Sequence, residues 1–176
     1  MSRVFNMFFL GRLLCAAILG VAVAAAAQVS AAQARSVVSS DVPRGTILVD
    51  TSRRQLYYGL GGGKAIRYRV AVGRAGKQWT GTTRIRSRRW KPAWSPTAEI
   101  RRDNPRLPRV IPAGSPRNPM GVAALVLAKG SYAIHGTNRP GLIGKAVSYG
   151  CIRMTNQDIS DLYERVRWGT RVIVRR

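Results

Sequence analysis

Residues 134–154 read IHGTNRPGLIGKAVSYGCIRM, and the reading of the whole chain turns on them. His135 is the only histidine in 176 residues, and Cys151 is one of 2 cysteines. The histidine ends an apolar run, SYAIHG (131–136), and meets a GTNRPG turn; the cysteine sits sixteen positions later in a glycine-flanked turn just before a helix. A free thiol is only a few per cent ionised at pH 7. A nearby imidazole or a helix N-terminus lowers its pKa and supplies thiolate, and the same imidazole can later protonate a leaving amine. Gly150 lets the backbone approach a substrate, and the amides near Cys151 can form an oxyanion hole. Arg153 is placed to hold a carboxylate with both arms of its guanidinium. By residue type and spacing alone, a turn-capping His135, a packed inert Cys151 and a plain surface Arg153 fit the same stretch.

The N-terminus reads as an address. Arg3 and Arg12 flank a segment without acids, Leu13 to Ala27 is apolar apart from Gly20, and AAQA (31–34) supplies small residues before a cut after Ala34. That is the pattern of a secretory signal peptide over 1–34, too short for a membrane span of about 20 residues. An uncleaved anchor is the alternative. Cleavage removes Cys15 and leaves Cys151 as an odd cysteine in an exported protein. Such a cysteine signals an intermolecular bridge, a reactive thiol or a buried inert one.

About 140 residues remain, enough for one domain with its own core. The chain carries Lys+Arg 30 against Asp+Glu 7, a formal net charge of +23. That field draws the protein to anionic polymers; export makes nucleic acid the least suitable of them and favours anionic lipid or an acidic cell wall.

Residues 35–44 read as a short linker and 45–176 as the domain. GTILVD (45–50), RQLYYGL (54–60), AIRYRVAV (65–72) and GTTRIRS (81–87) read as strands, the third alternating with Tyr68, Val70 and Val72 on one face. Seven of the nine prolines fall between Lys91 and Pro119, which excludes a helix or a central strand at that spacing. Trp90 and Trp94 give this segment something to bury, so it reads as a loop wrapped over a surface. VAALVLA (122–128) and SYAIHG read as buried strands. TNQDISDLYERV (155–166) reads as one helix, capped by Thr155 with Asp158 three residues on. TRVIV (170–174) is the closing strand. The expected fold is mainly β, with one short helix after the cysteine.

The 134–154 stretch resembles the signature of the L,D-transpeptidase catalytic domain (YkuD type), which usually reads HGT, then IG, then SHGCIRM. TGTTRI, PAWSPTAEIR, IPAGSPRNPMGVAAL and DISDLYERVRWGTRVIV resemble further blocks of that family, so the likeness runs from about Gly45 to Val174. The resemblance implies a single β-sandwich or mixed-sheet domain with Cys151 as nucleophile, His135 as proton acceptor and donor, and the Gly136 carbonyl orienting the imidazole. It assigns substrate contacts to Arg153, Ser148, Tyr149, Gly150 and Asn138. It implies peptidoglycan stem peptides as substrate, no cofactor, no metal, and an acceptor amine from a second stem or from an envelope protein. Water as acceptor would make a carboxypeptidase. Tyr149 stands where the family usually has a histidine.

Two other readings remain at this level. One is a non-catalytic, cationic wall-binding module with an inert thiol. The other is a sortase-like enzyme, whose histidine usually lies farther upstream of its cysteine.

Overall fold

The computed structural model describes residues 35–176; the leader expected over 1–34, with Cys15, lies outside the described residues. In chain order the elements are β1 (Ser36–Ser39), β2 (Ile47–Asp50), β3 (Gln55–Gly61), β4 (Lys64–Arg69), β5 (Val72–Gly73), β6 (Gly81–Trp90), α1 (Ala98–Asp103), β7 (Ala123–Leu127), β8 (Ala133–His135), β9 (Ala146–Ser148), β10 (Ile152–Arg153), α2 (Asn156–Arg165) and β11 (Arg171–Arg175). The domain is mainly β, as expected. Nine strands form one mixed sheet in the order β1-β4-β3-β2-β11-β6-β7-β8-β10, and β5 pairs with β9 in a parallel ribbon.

β6 joins the two halves of the large sheet. Its first residues pair with β11, its later ones with β7, and the register shifts between Ile85 and Ser87. A bulge of this kind bends a strand and increases its twist, so one strand serves two directions of pairing. The core fills from both halves: Ile47, Val49, Leu56, Tyr68, Ile85, Leu125, Leu127 and Ile134 are buried. The apolar stripe of α2, Ile159 and Leu162, is fully buried, and the helix lies against β7 and β8. Burial of each such side chain contributes about 1.5–3 kcal/mol. The helix starts where its cap predicts, with Thr155 Oγ1 accepting the Asp158 N–H at 3.1 Å.

Three expectations are corrected. The segment read as a linker carries β1, which pairs antiparallel with β4 from Ser36↔Arg67 to Ser39↔Lys64. The strand read as continuous over 65–72 breaks after Arg69. There the Ala71 amide donates to Arg153 O and the Arg153 amide to Ala71 O, both at 2.8 Å, drawing the chain away from β3 towards the cysteine turn. The proline-rich segment holds a helix after all: α1 fits between Pro96 and Pro105, with Thr97 Oγ1 capping Ile100 N. Six residues are short enough to escape both prolines, and none of them is buried.

Candidate active site

Parallel pairing of β8 with β10 sets Ile152 beside Ile134 and Arg153 beside His135. Cys151, one residue before β10, therefore comes alongside the start of β8. The Met154 amide closes the far side, donating to His135 O at 2.8 Å. His135 is 3% exposed, and its Nδ1 lies 2.7 Å from Gly136 O. That contact fixes a tautomer in which Nδ1–H donates to the carbonyl and Nε2 keeps its lone pair. Burial pushes the imidazole pKa down to about 4, Arg153's charge acts in the same direction, and backbone hydrogen bonds to Gly136 and Pro119 only partly oppose them. The imidazole is thus a neutral base near pH 7.

Cys151 is a free, half-buried cysteine whose Sγ lies 3.9 Å from Ser131 O. Burial pushes its pKa up; the Ala133 backbone and the Arg153 charge pull it down without prevailing. The sequence led to an imidazole that supplies thiolate. The resting site instead holds a neutral thiol and a neutral imidazole on paired strands, because both charged forms are desolvated. In this arrangement the sulfur's hydrogen bond goes to Ser131 O.

The turn carrying the thiol is braced from inside. Ser148 is fully buried; its hydroxyl donates to Cys151 O at 2.6 Å and accepts the Gly150 N–H at 3.1 Å. Both bonds stay within the turn, so Ser148 shapes it and does not face a ligand. Gly150 has φ +115°, and a Cβ there would lie 2.5 Å from Tyr132 Cε1. The missing side chain makes room for the Tyr132 ring, not for a substrate as the sequence suggested.

The remaining residues divide. Arg153 is half-buried, and its Nε is buried without a hydrogen-bond partner. Its backbone is gripped by β8 on one side and Ala71 on the other. Asn138 is exposed, with Nδ2 donating to Pro116 O at 3.2 Å. Tyr149 turns to the proline-rich segment: its hydroxyl donates to Asp103 Oδ2 of α1 at 2.6 Å, and Arg74 bonds the same oxygen at 3.0 Å while its Cζ lies 4.2 Å from the Tyr149 ring centroid. The phenol that replaces the family histidine thus joins the cysteine turn to α1.

Sequence reasoning missed Asn156. Its Oδ1 accepts the amides of Thr137 at 3.1 Å and Val122 at 3.3 Å, fixing the HGT turn from the first residue of α2. A Cβ on Gly136 would lie 2.4 Å from that oxygen, so glycine follows the histidine for packing as well as for its carbonyl. The only available signal was an amide directly after the capping Thr155.

The family model for the L,D-transpeptidase catalytic domain (YkuD) matches residues 44–174. The chain belongs to this family. It is 40% identical over 144 residues to the "Probable L,D-transpeptidase YbiS" of Escherichia coli K12, covering 77% of this chain and 46% of that one. The "Putative L,D-transpeptidase YkuD" of Bacillus subtilis is 53% identical over 62 residues, 35% of this chain and 38% of its own. The chain spans about half the length of the curated relatives it matches. Among solved structures it resembles an L,D-transpeptidase from Mycobacterium smegmatis with TM-score 0.58, at 18% identity over 74% of this chain and 58% of the other. It also resembles L,D-transpeptidase 3 from Mycobacterium tuberculosis carrying a faropenem-derived adduct, with TM-score 0.58 at 14% identity, covering 74% and 60%. These likenesses show that the fold is shared.

Proposed function

We propose that this chain is a peptidoglycan L,D-transpeptidase acting through a Cys151 thioester. The observation that carries the reading is the β8–β10 pairing, which brings the strand ending in His135 against the strand that Cys151 opens. The imidazole is preset as a base by its Nδ1–H bond to Gly136 O.

Cys151 Sγ attacks the carbonyl of the third stem residue while His135 Nε2 takes the thiol proton. The tetrahedral intermediate collapses, the peptide C–N bond breaks, and the imidazolium gives its proton to the departing D-alanine amine. An acceptor amine then attacks the thioester carbonyl, losing a proton to the imidazole, and the sulfur leaves and recovers that proton. Neutral partners suit this sequence, because each half-reaction returns the pair to its starting charge. A nearby carboxylate of the stem would meet Arg153, whose half-buried guanidinium keeps an unpaired Nε. Tyr149 and Asn138 bound the approach, both through the proline-rich segment.

The surplus of cationic side chains favours residence against an anionic wall, and the N-terminal pattern favours export to the envelope. No helix among the described residues is long and apolar enough to cross a membrane. An amine on an envelope protein is the alternative acceptor, and water is a third.

Incubating the purified protein with tetrapeptide-stem muropeptides tests the reading. Released D-alanine with 3–3 linked dimers is the expected product set. Tripeptides alone would reassign the enzyme as a carboxypeptidase. Unchanged muropeptides from folded protein, with salt-sensitive binding to sacculi indifferent to Cys151→Ala, would favour the wall-binding module. The penem faropenem, whose adduct the M. tuberculosis relative carries, serves as a probe of acylation independent of acceptor.

A further inference from the structure

Trp79 lies outside every motif used so far, in the connection between β5 and β6. Its indole Nε1–H donates to Gly150 O at 2.9 Å. Its ring stacks on Tyr132, with centroids 5.3 Å apart and planes 5° from parallel, and Lys129 Nζ sits 5.6 Å from the Trp79 ring centroid. Tyr132, from the connection between β7 and β8, covers the space a Gly150 side chain would need. Two rings from distant parts of the chain therefore converge on one peptide unit, that of Gly150 and Cys151.

The orientation of that unit has consequences for the chemistry. A trans peptide is planar, with its C=O and N–H pointing in opposite directions. Holding Gly150 O against the indole therefore turns the Cys151 N–H the other way. Among the described residues nothing accepts from that amide, whereas the neighbouring Gly150 N–H is taken by Ser148. The amide of a nucleophilic residue is a common donor to the oxygen that gains charge during acyl transfer. Indole is a donor only, so this contact can pull on a carbonyl and cannot invert. The stack with Tyr132 limits the ring's rotation.

Resting on the acyl-transfer reading above, we propose that Trp79 is a positioning residue for oxyanion stabilisation. Its N–H, held by the Tyr132 stack, sets the plane of the Gly150–Cys151 peptide and so aims the Cys151 amide at the tetrahedral intermediate. The ring acts through the peptide and needs no contact with substrate.

The test separates the donor from the ring. Replacing Trp79 with β-(3-benzothienyl)alanine keeps the stacked surface and removes the N–H; Trp79→Phe removes the N–H with a smaller ring. Faropenem is the acylating probe: a bond forms between Cys151 Sγ and the lactam carbonyl, the lactam C–N bond breaks, and the thiol proton goes to that nitrogen. The expected result is an acylation rate at saturating faropenem lower by roughly tenfold, below the ~10²–10³-fold cost of deleting an oxyanion donor outright. Half-saturation should be little changed. The acyl-enzyme carbonyl stretch, read by infrared difference against Cys151→Ala, should move to higher wavenumber, because a weaker hydrogen bond polarises the carbonyl less. A purely structural role would lower thermal stability and leave that stretch where it is in wild type. Wild-type rate and wild-type stretch in either folded variant would overturn the proposal while leaving the functional reading intact. Failure of the wild-type protein to form any acyl-enzyme would overturn both.

Discussion

The turn that carries Cys151 and the proline-rich segment tied to it through Tyr149 are built from different interactions. The turn, 147–154, is locked by the core: Ser148 bonds inside it, Met154 and Ile152 are buried beneath it, and β8 and Ala71 hold its flanks. The proline-rich segment, 91–119, is held by polar contacts at a few points. Asn118 staples it to itself through Pro92 O at 2.8 Å and Pro112 O at 3.1 Å. α1 has no buried residue and is tied down by Tyr149 and Arg74 on Asp103 and by a Lys77–Glu99 ion pair. Reacting groups must be preorganised, whereas the proline-rich segment is fastened by exposed ion pairs, which contribute little to stability and open at low cost.

The sharpest break in that comparison comes from the imidazole. His135→Asn should slow acylation by roughly 10²–10⁴-fold, the usual contribution of a positioned general base, measured by single-turnover reaction with faropenem. A loss under tenfold would show that the rigid half lacks its base.

Ser148→Ala should come next. It leaves the Gly150 N–H and Cys151 C=O without their partner in a dry interior, a cost of about 1–3 kcal/mol, read as a shifted denaturant midpoint at unchanged slope. An unaltered midpoint would mean the turn is not braced as described.

Acid titration sharpens the same half. An imidazole at about 4 when folded and near 6.5 when unfolded takes up its proton first in the unfolded chain. Stability should therefore fall as pH drops from about 6.5 to about 4, by up to about 3 kcal/mol. Asp50, Asp103 and Asp161, whose carboxyls are held below the usual range by basic and hydroxyl partners, add their own loss at lower pH. His135→Asn should flatten the slope above pH 4 and leave the lower one. Superimposable wild-type and variant curves would contradict a buried neutral imidazole.

The smallest effects belong to the contacts of α1. Tyr149→Phe and Asp103→Asn should leave the melting temperature and the faropenem acylation rate unchanged and raise KM for a muropeptide a few-fold. Equal KM values would remove α1 from the substrate path.

How much of this was legible beforehand follows the same division. One histidine and one cysteine among residues 35–176, in a stretch that resembles a family signature, singled out the reactive groups, and the Thr155 cap, the alternation over 65–72 and the apolar run over 122–128 located α2, β4 and β7. β1 was illegible because SVVS gains its pairing from β4, not from its own length or pattern. The break at Val70 was illegible because the long-range bridge of Ala71 with Arg153 overrides a good local alternation. α1 was hidden by proline spacing that excludes long helices but not one of six residues. Trp79, Tyr132 and Asn156 contact the turns at 135–137 and 148–151 through an indole N–H, a ring face and an amide oxygen that no one-dimensional pattern reports.

In the proposed reaction the sulfur of Cys151 carries the acyl group between donor and acceptor. Intact-protein mass spectrometry after brief mixing with a tetrapeptide-stem muropeptide tests it most directly. The account predicts a mass increase equal to the muropeptide less one D-alanine, confined to the peptide containing Cys151, discharged by an added amine and lost in Cys151→Ala. Folded wild-type protein that turns over the muropeptide without that adduct, or an adduct that persists in Cys151→Ala, would contradict it.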